Sequence, residues 1–148
     1  MRSAELHRLE QLNPVIKQVW EVHLRVQPVT SALARPDILV LMIDETLQKL
    51  THHLRKKSAE IAAVSVRPVG PAASLCKCGL NPLISYYAAG ESALRAVAAP
   101  VFGARIEVAV DALHVLAHRD IEALCGLCPE RGRGERCAAT MESCEARA

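Results

Sequence analysis

Six cysteines carry the clearest chemistry in this 148-residue chain. Cys76 and Cys78 form a CxC pair in CKCG, and Cys125 and Cys128 form a CxxC pair in LCGLC. Thiolates are soft ligands, and four of them in a tetrahedron make a closed zinc site. The same set can hold an iron–sulfur cluster. Zinc is the first expectation for Cys76, Cys78, Cys125 and Cys128, and an iron–sulfur cluster the second. Cys137 and Cys144 extend the second pair to CxxC-x8-C-x6-C. A local site from Cys125, Cys128, Cys137 and Cys144 is therefore the competing arrangement, but it leaves the CxC pair unexplained.

A metal-free alternative uses Cys125 and Cys128 as a thiol–disulfide couple. Reactive CxxC motifs place the nucleophile at a helix N-terminus, where the dipole favours the thiolate. This pair falls at the end of a predicted helix, which argues against the redox reading. A third possibility is a metal-free interaction module with incidental cysteines.

The elements around these residues decide whether the two pairs can meet. Asn81-Pro82 is a helix start, with Asn at the N-cap and Pro in the first turn. The helix continues through Leu83, Ile84, Tyr87, Ala88, Glu91, Leu94 and Val97, with Gly90 a weak point in its middle. Pro100 and Gly103 mark a turn, and a long helix follows over 104–127. Two helices with so short a connection pack antiparallel. At about 1.5 Å of rise per residue, positions equally far from the turn lie side by side. Cys78 then faces Cys125, and Cys76 faces Cys128.

The last helix carries a second set of polar residues. Glu107, Asp111, His114, His118, Cys125 and Cys128 fall within one broad face at helical spacing. A His-x3-His pair can hold a metal, but no HExxH frames His114 and His118. A solvated, hydrogen-bonded face is the simpler expectation. His118 is two helical turns from Cys125, too far to share its tetrahedron.

The rest of the chain supplies a framework. Ser3 can cap a short helix over 3–12, and Asn13-Pro14 reads as a restart for a helix ending before Pro28. Pro36 opens a third helix whose apolar stripe is Ile38, Leu39, Met42, Ile43, Thr46, Leu47, Leu50 and Leu54. Trp20 reads as a core anchor. Of Tyr86 and Tyr87, one is expected in the core and the other at the surface.

The expected fold class is all-α: a helical bundle of about four main helices, with a short N-terminal helix. A domain over 1–128 would precede a polar, cysteine-containing tail over 129–148. Hydrophobic residues are 51% of the chain and aromatics only 3%, so the core must be aliphatic. Eighteen basic against sixteen acidic residues leave +2, too balanced for a nucleic-acid footprint. The longest aliphatic run, ILVLMI, is far short of a membrane span. With no secretory signal at its start, the chain reads as cytoplasmic. Cysteines in that compartment serve metals or redox chemistry more often than structural disulfides.

Residues 13–57, from Trp20 through ARPDILVLMIDETLQKLTHHL, resemble the N-terminal helical domains of RsbR-type bacterial sensors. Those domains also place a Trp in an early helix and follow it with a Leu-rich helix. The resemblance implies a globin-like or bundle-like fold and a sensory or signal-input role. The cysteine pairs are not part of that pattern. The combined expectation is a non-enzymatic regulatory domain whose four-cysteine site pins a helical hairpin, with a protein partner or self-association as its output.

Overall fold

The computed structural model describes residues 2–27, 34–60 and 81–126. Its helices are α1 (Ser3–Arg25), α2 (Pro36–Leu39), α3 (Ile43–Glu60), α4 (Pro82–Phe102) and α5 (Glu107–Gly126). Short 3-10 turns, Val40–Met42 and Gly103–Ile106, join α2 to α3 and α4 to α5. The described residues are thus all-α, without strands. The expected count of about four main helices plus a short N-terminal one does not match. Among the described residues, helix runs instead as three continuous stretches: 3–25, 36–60 and 82–126.

The difference begins at Pro14, which lies inside α1 rather than restarting the chain. An interior proline costs roughly 3 kcal/mol. Burying one large aliphatic side chain returns about 1.5–3 kcal/mol. Leu6 and Leu9 before the proline share a buried face with Ile16, Trp20 and Leu24 after it. Breaking the helix would swing the first two off that face. Pro14 itself is exposed, so its neighbourhood is open to water. Ser3 is already helical, and Arg2 stands at the N-cap. The Glu5 carboxylate accepts the Arg2 amide at 2.9 Å, satisfying one of the free N–H groups of the first turn.

Pro36 opens α2 in the first turn, as expected. The stripe behind it is buried at Leu39, Ile43, Thr46, Leu47, Leu50 and Leu54. Met42 is half-buried and Ile38 stands out at 44% exposed. Pro100 does not end α4, which continues to Phe102. The chain reverses at Gly103, whose φ of 57° is the left-handed region that glycine adopts without a Cβ penalty.

Polar contacts give the packing directions. Lys17 pairs with Asp44 and Arg55 with Glu10, so α1 and α3 are antiparallel. Arg95 pairs with Glu107, Glu91 with His114, and Tyr87 with Asp120, so α4 and α5 are antiparallel as well. Both α1 and α5 lie against α3 and α4. The end of α3 and the start of α4 consequently sit at opposite ends of the bundle.

Trp20 stands at the joint between α1 and α4. Its indole N–H donates to the Tyr86 carbonyl at 3.0 Å, and its ring lies 4.9 Å from the Tyr86 ring. Gly90 makes this approach possible, since a Cβ there would stand 2.3 Å from Trp20 Cζ2. Its apparent weakness as a helix residue is therefore a packing requirement. Tyr86 and Tyr87 are both buried, against the expectation that one would face outward. Each keeps a partner: the Tyr86 hydroxyl meets Thr46 at 2.8 Å, and Tyr87 donates to Asp120 at 2.7 Å. Burial raises the hydroxyl pKa of both.

Candidate site at the open end of the α4–α5 hairpin

Polar contacts clamp the hairpin near both ends, with the Tyr87–Asp120 bond between them. Near the turn, a polar chain crosses from one helix to the other. Arg95 binds Glu107 through two nitrogens and donates from Nε to Glu91 at 3.0 Å. The other oxygen of Glu91 meets His114 Nε2 at 2.9 Å. A carboxylate only accepts, so Nε2 carries the proton. Burial raises the Glu91 pKa, but His114 and Arg95 outweigh that and hold it below the usual carboxylate value. Arg95 is raised by Glu107 first and Glu91 second.

His114 is only 8% exposed, and its Nδ1 has no hydrogen-bond partner among the described residues. The expected solvated face holds for Glu107, which is exposed, but not for His114, which is buried while keeping the expected hydrogen bond. His114 is a hydrogen-bonded histidine, but one inside the packed hairpin. Ala117, one turn along α5 from His114, is buried as well.

At the open end the clamp among the described residues is one short side chain. Asn81 caps α4, its Oδ1 accepting the Leu83 amide at 3.0 Å. Its Nδ2 donates across the hairpin to the Ile121 carbonyl at 3.3 Å and to Cys125 Sγ at 3.2 Å. Asn81 thus ties the first turn of α4 to the last turns of α5. Its role as N-cap was legible from Asn-Pro, whereas its contact with Cys125 was not, because that depends on the register of the hairpin.

Cys125 is a half-buried free thiol in the last turns of α5. It lies one residue before Gly126, the last described residue of α5. The antiparallel packing adds that it also lies beside the N-cap of α4, the electropositive end of the neighbouring helix. The pairs 91 with 114, 87 with 120 and 81 with 125 straddle Gly103 at near-equal distances. The antiparallel pairing expected for the hairpin is present, but Cys125 meets Asn81, three residues along the chain from the expected position, Cys78, which lies outside the described residues.

Cys76, Cys78, Cys128, Cys137 and Cys144 lie outside the described residues, as does the 129–148 tail. Among the described residues, no group of three His, Cys, Asp or Glu side chains could hold a metal ion. Among them, too, no helix is long and apolar enough to cross a membrane.

Comparison with protein-family models, with curated proteins and with solved structures returned no match.

Proposed function

We propose that this chain is a bacterial sensor or regulatory domain in which Cys76, Cys78, Cys125 and Cys128 bind one metal centre at the open end of the α4–α5 hairpin. Zinc is the preferred occupant and an iron–sulfur cluster the alternative. The supporting observation is the contact of Asn81 with Cys125. It fixes one sulfur beside the start of α4, three residues after Cys78 in the chain. Three residues span at most about 11 Å, and the five back to Cys76 at most about 18 Å. Cys128 is likewise three residues beyond Cys125. Chain length therefore permits both pairs to converge there. The Asn81 amide would act as an outer partner of the Cys125 ligand, of the kind that orients metal-bound thiolates. Loss or oxidation of the centre would unpin this end of the hairpin and alter a surface read by a partner protein or a second copy.

The test is anaerobic purification followed by metal analysis and an absorption spectrum. Stoichiometric zinc in a colourless protein, or iron and sulfide in a brown one, is the expected result. Cys76→Ser should abolish binding, while Cys137→Ser and Cys144→Ser should preserve it. The opposite pattern would move the site to the tail, and a metal-free protein would sink the reading.

A second reading, a Cys125–Cys128 redox couple, has one observation in its favour. The N-cap of α4 beside Cys125 supplies the helix N-terminus that the sequence of α5 alone did not offer. A metal-free protein that reversibly forms that disulfide would establish it.

A further inference from the structure

We draw no further inference here: the strongest candidate, the apolar line of Val15, Val22 and Val26 exposed along the outer face of α1, is an unpartnered helix face, and nothing in the structure shows what covers it.

Discussion

The two clamps of the α4–α5 hairpin differ in how much they hold. Near the turn, Glu107, Arg95, Glu91 and His114 form a continuous chain of long side chains across both helices. Directly beneath it, Trp20 fills the space left by Gly90. At the open end, among the described residues, Asn81 bridges the helices, and one of its three side-chain bonds goes to a sulfur. Sulfur of a neutral thiol is a weak acceptor. The contrast teaches that the turn end is held by charged side chains, whereas the open end carries a contact whose strength depends on the state of Cys125.

The sharpest way to break the turn end is Gly90→Ala. The new methyl would overlap a Trp ring that is 1% exposed and has nowhere to move. Overpacking should cost roughly 3 kcal/mol, even though alanine gains up to about 1 kcal/mol in helix propensity. Thermal melts would read this as a clear loss, and a stabilised variant would refute the packing.

Glu91→Gln is next. It keeps an acceptor for His114 but removes the charge bound by Arg95, for an expected loss of about 2 kcal/mol at neutral pH. The sign with pH follows from Glu91, whose folded pKa lies below its ordinary value. Its stabilisation is complete above the unfolded carboxylate pKa and is lost as pH falls through the folded one. Urea midpoints of wild type and variant should therefore converge in acid. A gap that persists or widens there would contradict the assigned pairing.

Asn81→Asp probes the open end. Aspartate caps a helix as well as asparagine does, yet it cannot donate to Ile121 or Cys125. Stability should fall by about 1 kcal/mol. If the four-cysteine centre exists, its affinity in a chelator competition should also weaken about tenfold or more. Equal metal affinity in both proteins would separate Asn81 from the site. At the bottom of the scale, Lys17→Ala removes an exposed pair with Asp44 and should shift the melting free energy by no more than about 0.5 kcal/mol.

The sequence made the framework legible where local chemistry and burial agree. Asn81-Pro82 and Pro36 open helices as written, and the stripe from Leu39 to Leu54 is core. Reading failed where tertiary packing overrides a local signal. Pro14 and Pro100 both sit inside helices, because the residues on either side of each bury on continuous faces. Gly90 looked like a flaw until Trp20, seventy positions earlier, explained it. The turn near Gly103 made the antiparallel pairing of α4 and α5 recoverable, but not the register that sets Asn81 against Cys125. The partner of His114 was not recoverable either, since two helical faces with the same polarity pattern do not reveal which polar groups are buried together.

Trp20 is the only tryptophan in the chain, and its indole is bonded to a carbonyl 66 positions away. The α4–α5 contacts near Gly103 close much shorter loops, such as the 12-residue separation of Arg95 and Glu107. Loop-closure entropy rises with separation, so docking α1 onto α4 is the more demanding joint to assemble. The chain's sole indole fluorophore is embedded in that joint, making its emission a natural reporter of when the first helix has found the hairpin.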